Sequence, residues 1–319
     1  MLKKIALEEH CMAPELVSYW EPSVAALPSS LKETITRRLH DYDSERLGIM
    51  DQSGVALSIL SMAGPGVQIE KDAGVAIRTS QRANDFLAKQ VERHPARFRA
   101  FAHLPMQDPV AAANELERCV RDLRFCGALI NGQTHGVFLD DRRYDVFWER
   151  ASALNAPVYL HPADPVATFT TLLDYPELTR ATWGWTIETA SHALRIVFGG
   201  VFDRYPQASL ILGHMGETLP FMLWRLDSRY QLYRQERPLT HLPSHYIRNN
   251  LYITTSGQCS NDALLCSIGA LGAGRVMFSI DYPFETTELA GRFMEEVPLD
   301  SDARARIASG NAEQLFKLS

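Results

Sequence analysis

Short runs of apolar and β-branched residues alternate with longer segments of mixed polarity along the chain. The lengths and compositions of the short runs are typical of strands buried in a parallel sheet. The predicted strands cover residues 4–9, 55–61, 98–104, 127–131, 157–161, 209–213, 251–255 and 275–280.

The longer segments carry apolar residues at three- and four-residue spacing, which is typical of amphipathic helices. They cover residues 73–94, 109–123, 144–154, 188–202 and 217–233, and a C-terminal helix is predicted over 301–316. Eight strands interleaved with helices predict an α/β protein with a single (β/α)8 TIM-type barrel.

Two segments are longer than a minimal strand-to-helix connection. Residues 11–43 contain three prolines and a charged stretch, and we interpret them as an insertion after the first strand that covers the site. Residues 163–182 follow the fifth strand and contain Pro165 and Pro176. Because no internal repeat or linker separates the chain, residues 1–319 are predicted to form one barrel domain.

Composition and charge exclude several classes of protein. Apolar residues make up 46% of the 319 residues and charged residues 22%, which are ordinary globular values and argue against disorder. No apolar run is long enough for a membrane span. The net charge of −6 disfavours nucleic acid as a partner, since no basic stripe offers phosphate contacts.

The N-terminus and the cysteines predict a cytoplasmic protein. Lys3 and Lys4 are followed by only three apolar residues before Glu8 and Glu9, which is too short a run for a signal peptide. The five cysteines are odd in number and lack CxxC spacing, so we expect free thiols rather than disulfides or a zinc knuckle.

In (β/α)8 barrels, functional side chains come from the carboxyl ends of the strands and the loops that follow. Glu8 and His10 lie at the end of the first strand, and residues two apart in a strand point to the same face. The other polar residues at predicted strand ends are Asn131, His161, His214, Ser256 and Asp281.

Each of these residues has a simpler interpretation when it is taken alone. His161 precedes Pro162 and could be a hydrogen-bonded loop residue, and Asp281 could be a turn or cap residue. Their joint placement at one end of the barrel favours a site of two imidazoles and two carboxylates. That donor set suits Zn²⁺, Mn²⁺ or a similar divalent ion.

Arg225 is a candidate for holding an anionic substrate. It follows His214 by eleven positions, about three helical turns, so position alone equally allows a surface ion-pairing role. Organic cofactors are not indicated: the glycines at 269, 272 and 274 precede a strand instead of following one, and no Walker A or G-x-S-x-G sequence occurs.

Seven short motifs are spread over nearly the whole chain. They are Ala6-Leu7-Glu8-Glu9-His10, Gly127-Ala128-Leu129-Ile130-Asn131-Gly132, Tyr159-Leu160-His161-Pro162, Ile211-Leu212-Gly213-His214-Met215-Gly216-Glu217, Trp224-Arg225, Thr254-Thr255-Ser256-Gly257 and Phe278-Ser279-Ile280-Asp281-Tyr282-Pro283-Phe284-Glu285. Together they resemble the aminocarboxymuconate-semialdehyde decarboxylase-like branch of the amidohydrolase superfamily, and within it the hydroxybenzoate decarboxylases, such as the γ-resorcylate (2,6-dihydroxybenzoate) decarboxylases.

The resemblance implies roles for individual residues. It implies a (β/α)8 barrel in which one divalent metal ion, Zn²⁺ or Mn²⁺ with Mg²⁺ as a further candidate, is held by four residues. They are Glu8, His10, His161 and Asp281. It also implies a catalytic hydrogen-bonded pair, a carboxylate-contacting arginine and a pocket residue, which are respectively His214 with Glu217, Arg225, and Asn131.

The implied reaction is the reversible, non-oxidative decarboxylation of a small aromatic acid. Candidate substrates are ortho-hydroxybenzoates such as 2,6-dihydroxybenzoate, 2,3-dihydroxybenzoate and orsellinate, with CO₂ or bicarbonate as the other partner and no organic cofactor. Asp281 would donate the proton to the ring carbon. The family also implies a homodimer or homotetramer.

Two other functions use the same residues. A metal-dependent hydrolase would use the ion to activate water against a lactone, amide or carbon–carbon bond. The glutamate at position 8, where many amidohydrolases have histidine, favours the decarboxylases over this reading. A third hypothesis is a barrel that binds an aromatic acid without turning it over, as a sensor or sequestering protein. The presence of every proposed catalytic residue favours an enzyme over this hypothesis.

Overall fold

The computed structural model of the protein describes residues 1–25, 27–233, 236 and 238–318. Eight parallel strands follow one another around a single sheet in the order β1 to β8. Their bounds are Lys4–Cys11 (β1), Val55–Met62 (β2), Phe98–Ala102 (β3), Gly127–Asn131 (β4), Val158–His161 (β5), Leu210–Leu212 (β6), Leu251–Thr254 (β7) and Val276–Met277 (β8).

The barrel closes between β1 and the segment just after β8. The regular part of β8 is short, and the closing contact is a parallel bridge between Glu9 and Tyr282. Two backbone hydrogen bonds flank it: the Asp281 N–H donates to the Glu8 carbonyl at 3.1 Å, and the His10 N–H donates to the Tyr282 carbonyl at 2.7 Å. The predicted (β/α)8 barrel is confirmed.

Helices alternate with the strands, as parallel pairing requires a crossover after each strand. Those of eight or more residues are Ser29–Leu39 (α1), Glu45–Ser53 (α2), Ala73–Arg93 (α3), Pro109–Arg121 (α4), Asp145–Leu154 (α5), Gly184–Phe198 (α6), Leu219–Leu232 (α7), Pro243–Asn250 (α8), Asn261–Leu271 (α9) and Thr287–Glu296 (α10). The C-terminal helix predicted over 301–316 consists of two α-helical segments, Ser301–Ala305 and Asn311–Phe316, joined by a π-helical turn, Arg306–Gly310.

Two predicted helices have wrong boundaries. The helix predicted over 188–202 begins at Gly184 and ends at Phe198, because Gly199 and Gly200 interrupt it and Gly200 has a φ of 68°. The helix predicted over 217–233 begins at Leu219, after a tight turn with left-handed backbone. The spacing of apolar residues in the sequence predicted both helices, but the local backbone conformation determines where each helix begins or ends.

The apolar core has two layers. The larger cluster lies between the strands and the surrounding helices, and a smaller cluster draws residues from most strands, including Ile5 and Leu7 of β1. Ala312, Leu315 and Phe316 of the last helical turn pack against that smaller cluster. The C-terminal helix therefore closes the end of the barrel opposite the carboxyl ends of the strands.

β1 contains an irregularity that simple alternation does not predict. Its pairing with β2 shifts register between Ala6 and Glu9, which indicates a bulge. Ile5 and Leu7, at odd-numbered positions, belong to the smaller apolar cluster, whereas the site residues of the same strand, Glu8 and His10, are at even-numbered positions. The bulge shifts the alternation of side chains between the two faces of the strand by one residue, so core residues before it and site residues after it can both point inward.

The two long connections contact each other. The Arg180 guanidinium donates to the Ser23 carbonyl at 2.6 Å, so the segment after β5 lies against the segment after β1. The insertion predicted over 11–43 starts later than expected because β1 extends to Cys11. That this segment covers the site stays a prediction. No helix in the described part of the chain combines the length and the apolar character that crossing a membrane requires.

Candidate metal centre and active site

Four side chains from three separate parts of the chain meet at the carboxyl end of the barrel. They are Glu8 and His10 of β1, His161 at the end of β5, and Asp281 after β8, and one potential ligand atom from each lies within 4.8 Å of the other three. The closest approaches are 3.2 Å between His161 Nε2 and Glu8 Oε1 and 3.3 Å between His10 Nε2 and Asp281 Oδ1.

The donor atoms that face the centre of this cluster have no other partner. Glu8 Oε1, His10 Nε2 and Asp281 Oδ1 are buried and form no hydrogen bond within the described residues. Buried polar atoms without partners are unfavourable, and carboxylate oxygens and imidazole nitrogens that converge are the atoms a divalent ion binds. The cluster therefore fits a metal ion with four protein ligands.

Hydrogen bonds on the far side of each imidazole orient the two histidines. His161 Nδ1 donates to the Pro162 carbonyl at 2.8 Å, and because a carbonyl only accepts, the proton lies on Nδ1 and leaves the Nε2 lone pair free. His10 Nδ1 lies 3.1 Å from the Ser61 hydroxyl, which can accept in the same way. Burial lowers the pKa of His161 to about 3, so its ring is neutral and able to bind a metal at ordinary pH.

Asp281 links the four-residue cluster to a second pair. Its Oδ1 faces His10, whereas its Oδ2 lies 3.7 Å from His214 Nε2. On the other edge of the ring, His214 Nδ1 lies 2.7 Å from Glu217 Oε1, inside a largely buried environment. A carboxylate between the proposed metal position and an imidazole can exchange a proton with the imidazole or with a molecule bound beside it.

Neighbouring charges shift the pKa values of His214 and Asp281 in opposite directions. Burial alone would lower the pKa of His214, but the negative charges of Glu217 and Glu8 and the contact with Asp281 raise it well above its usual value. Burial alone would raise the pKa of Asp281, but the adjacent rings of His10 and His214 hold that pKa below its usual value. Without metal or substrate, the favoured state is therefore an imidazolium beside a carboxylate.

His214 lies on a short turn with unusual backbone. Residues His214, Met215, Glu217 and Thr218 all have φ between 49° and 66°, a left-handed conformation that costs energy for side chains with a Cβ. The turn brings Glu217 back to His214 within three residues. Such strain is concentrated at functional sites, where the surrounding structure holds it in place.

Two glycines make room for the charged residues. A Cβ at Gly213 would lie 2.6 Å from Glu8 Oε2, and a Cβ at Gly257 would lie 2.9 Å from His214 Cδ2. Neither distance is tolerated by real side chains, so the Glu8 carboxylate and the His214 ring occupy space that any other residue would fill. Ser256, adjacent to Gly257, is buried with its hydroxyl unpartnered within the described residues. Burial raises the pKa of Glu8, and the nearby Ser256 hydroxyl opposes part of that shift.

Asn131 is buried beside the cluster with its side-chain amide uncommitted. In the β4–β5 ladder it pairs with His161. Its backbone N–H donates to the Gln68 side chain at 2.6 Å, while its own Oδ1 and Nδ2 have no partner in the described structure. A Cβ at Gly64 would approach Asn131 Oδ1 to 2.7 Å. The amide is thus available to a bound molecule.

Arg225 is the predicted site residue that the structure does not bring to this cluster. It lies on an exposed face of α7 next to Trp224, and it forms no hydrogen bond or ion pair among the described residues. Its role as a carboxylate-contacting residue stays a prediction.

Several residues at the site were not predicted from the sequence. The Tyr159 hydroxyl donates to Glu8 Oε2, and the Phe284 ring lies 5.7 Å from the His10 ring while remaining 44% exposed. Tyr159 is two positions before His161 in β5, so the two-residue period of a strand could have identified it. Phe284 depends on the path of the chain after Asp281, for which the sequence offers no comparable signal.

A buried arginine lies behind the cluster. Arg46 of α2 is 2% exposed and donates to the His10 carbonyl at 2.6 Å, and its guanidinium lies 4.3 Å from the centre of the Tyr282 ring. Burial raises the pKa of the neighbouring Glu9 well above its usual value, and the charge of Arg46 opposes that shift. Arg46 therefore contacts both chain segments that carry the β1 ligands and Asp281.

Comparison with known proteins identifies the family. The sequence model of the amidohydrolase family matches residues 37–318. The chain is 41% identical to a gamma-resorcylate decarboxylase from Polaromonas sp., with 99% of each chain covered.

Solved structures agree with this match. The structure of 2,6-dihydroxybenzoate decarboxylase in complex with 2,6-dihydroxybenzoate has a TM-score of 0.94 and 39% identity, with both chains covered completely. A dihydroxybenzoic acid decarboxylase from Polaromonas sp. with bound manganese and the inhibitor 2-nitroresorcinol has a TM-score of 0.94 and 41% identity, covering 100% of this chain and 98% of that one. The resemblance drawn from the motifs is confirmed, and the chain belongs to the amidohydrolase family.

Proposed function

We propose that the protein is a metal-dependent carboxy-lyase that converts an ortho-hydroxybenzoate to CO₂ and a phenol without an oxidant, and that the reaction is reversible. The observation that carries the proposal is the convergence of four potential ligand atoms beside the His214–Glu217 pair, three of them buried without a hydrogen-bond partner in the described structure. The full-length similarity to decarboxylases of dihydroxybenzoates supports the reaction class. Candidate substrates are 2,6-dihydroxybenzoate, 2,3-dihydroxybenzoate and orsellinate.

The proposed ligands of a single divalent ion are Glu8, His10, His161 and Asp281. Mn²⁺ is supported by the manganese in the neighbouring structure, and Zn²⁺ and Mg²⁺ are the other candidates. When bound, the ion would supply a Lewis acid that favours the charged oxygens of an ortho-hydroxybenzoate. The chemistry needs no organic cofactor, since the electron-rich ring itself takes up the proton and then receives the electron pair of the breaking carbon–carbon bond.

Asp281 is the proposed proton donor to the ring carbon that bears the carboxylate. Its depressed pKa favours the carboxylate in the free protein, so the proton must arrive with the substrate, from the ortho hydroxyl. Asp281 then transfers that proton to the ring carbon. As the bond to the carboxylate breaks, its electron pair returns to the ring, aromaticity is restored and neutral CO₂ leaves.

His214 and Glu217 are proposed to control the charge around Asp281. The His214 imidazolium, held by Glu217, stabilises the Asp281 carboxylate before the substrate binds and can hydrogen-bond a substrate oxygen afterwards. Asn131 is proposed to contact the substrate because its buried amide is unpartnered in the described structure. Arg225 is proposed to contact the substrate carboxylate and to lose that contact as CO₂ forms.

The assembly is proposed to be a homodimer or homotetramer. The exposed face of α7 that carries Arg225 also carries Phe221 and Trp224, which are 79% and 77% exposed. Adjacent exposed aromatic rings are typical of protein–protein contacts. The cytoplasmic location remains a prediction from the sequence.

The reaction is tested by CO₂ release from a panel of acids by protein loaded with Mn²⁺ or Zn²⁺. We expect release from at least one of 2,6-dihydroxybenzoate, 2,3-dihydroxybenzoate, orsellinate, salicylate and 5-carboxyvanillate, and its loss after treatment with a chelator. High bicarbonate with the phenol product should regenerate the acid. Two results together would favour the hydrolase instead: no CO₂ release from any acid by metal-loaded protein, and incorporation of ¹⁸O from water into the product when a lactone is offered as the substrate.

The ligand set predicts that metal binding stabilises the fold. Because the four ligands converge only in the folded chain, saturating Mn²⁺ should raise the melting temperature by about 5 °C. In Glu8→Gln the loss of one negative ligand should weaken Mn²⁺ affinity roughly 100-fold and remove the shift. Glu115→Gln is the matched control, since the buried Glu115 carboxylate binds Arg118 outside the cluster. Equal metal affinity in wild type and Glu8→Gln would refute the ligand set.

The proton-donor role predicts the behaviour of Asp281→Asn. The amide cannot carry the transferred proton, so kcat should fall by about 10²- to 10⁴-fold while some metal is retained. Steady-state kinetics and metal analysis of the same sample measure both quantities, and Asp262→Asn on the exposed start of α9 is the control. Activity of the Asp281 variant within tenfold of wild type would assign the donor elsewhere.

The carboxylate-contact role predicts a binding defect in Arg225→Ala. A charge-assisted hydrogen bond lost from the substrate should raise KM about tenfold. The control is Arg82→Ala, which removes another exposed arginine, on α3. If KM and kcat match those of the control, Arg225 has no part in substrate binding.

A further inference from the structure

The two oxygens of the Glu8 carboxylate have different surroundings. Oε2 accepts a hydrogen bond from the Tyr159 hydroxyl at 2.5 Å. Oε1 has no hydrogen-bond partner among the described residues and lies 3.2 Å from His161 Nε2 and 4.0 Å from His10 Nε2. One oxygen therefore faces the proposed metal position, and the other is bound to a tyrosine.

Tyr159 itself is held firmly. Its side chain is fully buried in β5, its ring packs against Phe101 at 5.9 Å, and its hydroxyl lies 2.9 Å from the Thr254 hydroxyl of β7. Thr254 can accept or donate, so the tyrosine proton is free to point at Glu8. The donor is thus fixed by two strands of the barrel.

Gly213 makes this arrangement of Glu8 sterically feasible. A Cβ at position 213 would lie 2.6 Å from Glu8 Oε2 and 3.2 Å from the Tyr159 hydroxyl. The absence of a side chain leaves a slot in which Oε2 and the hydroxyl meet. Tyrosine, threonine and glycine come from three neighbouring strands or their ends, β5, β7 and β6, and together define the orientation of the carboxylate.

We propose that Tyr159 is a positioning residue that holds Glu8 as a one-oxygen ligand and thereby keeps two coordination positions open for an ortho-hydroxybenzoate. The four protein ligands each offer one atom. An ion that prefers six ligands, such as Mn²⁺, then has two positions left, which matches the carboxylate and the ortho oxygen of the substrate. If Glu8 bound through both oxygens, it would take one of those positions.

The inference rests on the proposed metal site and adds a structural reason for the choice of substrate. A chelating acid needs both positions, whereas a simple carboxylate needs only one. Tyr159 is therefore expected to affect the binding of chelating acids more than the binding of the metal or of non-chelating acids.

The test compares Tyr159→Phe with wild type, with Tyr144→Phe as the matched control. Tyr144 is also buried, and its hydroxyl donates to the Met106 carbonyl at 3.0 Å, outside the cluster. Each protein is titrated with Mn²⁺ and then, loaded with Mn²⁺, with salicylate and with benzoate, which differ by the ortho hydroxyl. Calorimetry gives the affinities, and the electron paramagnetic resonance spectrum of Mn²⁺ reports its coordination.

We expect Tyr159→Phe to bind one Mn²⁺ with an affinity within tenfold of wild type. Its salicylate affinity should fall at least tenfold, its benzoate affinity should stay within threefold, and the Mn²⁺ spectrum should no longer change when salicylate is added. Tyr144→Phe should match wild type in all of these. Thr254→Val, which keeps the tyrosine but removes its second partner, should give a smaller loss in the same direction and carries the test if Tyr159→Phe does not fold.

Two results would overturn the inference while leaving the proposed function intact. One is unchanged salicylate binding in Mn²⁺-loaded Tyr159→Phe, and the other is loss of Mn²⁺ from a folded variant, which would make the tyrosine a residue for metal retention. Failure of the wild-type protein itself to bind Mn²⁺ would overturn the proposed metal site and the inference together.

Discussion

The structure depends on the closure of the barrel between β1 and the segment after β8. The hydrogen bonds of this seam run from Asp281 to Glu8 and from His10 to Tyr282, so the residues that close the sheet are the same residues, or neighbours of those, that converge on the metal position. Three of the four candidate ligands lie on the seam. An error in closure would therefore separate the ligands, and the geometry of the site is tied directly to the integrity of the fold.

The seam also concentrates negative charge in a buried place. Glu8 and Glu9 are both buried, and Asp281 lies beside them. Burying carboxylates without a positive partner is unfavourable, and burial raises the pKa of both glutamates accordingly. The guanidinium of Arg46 is bound to backbone carbonyls on the far side, and a divalent ion on the near side would supply the charge that Glu8 and Asp281 lack.

The two carboxylate oxygens of Asp281 face different neighbours, which connects the buried charge to proton transfer. One oxygen faces His10 in the metal cluster and the other faces His214, whose ring is held by Glu217 on a strained turn. The same carboxylate can thus respond to the metal, to the imidazolium and to a substrate proton. At Glu8, the Tyr159 hydroxyl donates a hydrogen bond to one carboxylate oxygen and leaves the other oxygen facing the metal position.

The alternation of strands and helices, and hence the barrel, could be predicted from the sequence, because burial of parallel strands imposes an apolar pattern on short local segments. The sequence also placed Glu8, His10, His161 and Asp281 at strand ends, where a barrel collects side chains. Local pattern did not determine the bulge in β1, the left-handed turn at His214 or the hydrogen bond from Tyr159 to Glu8. Those features depend on contacts between residues far apart in the chain, such as Glu8 with Gly213, and only the closed barrel brings these together.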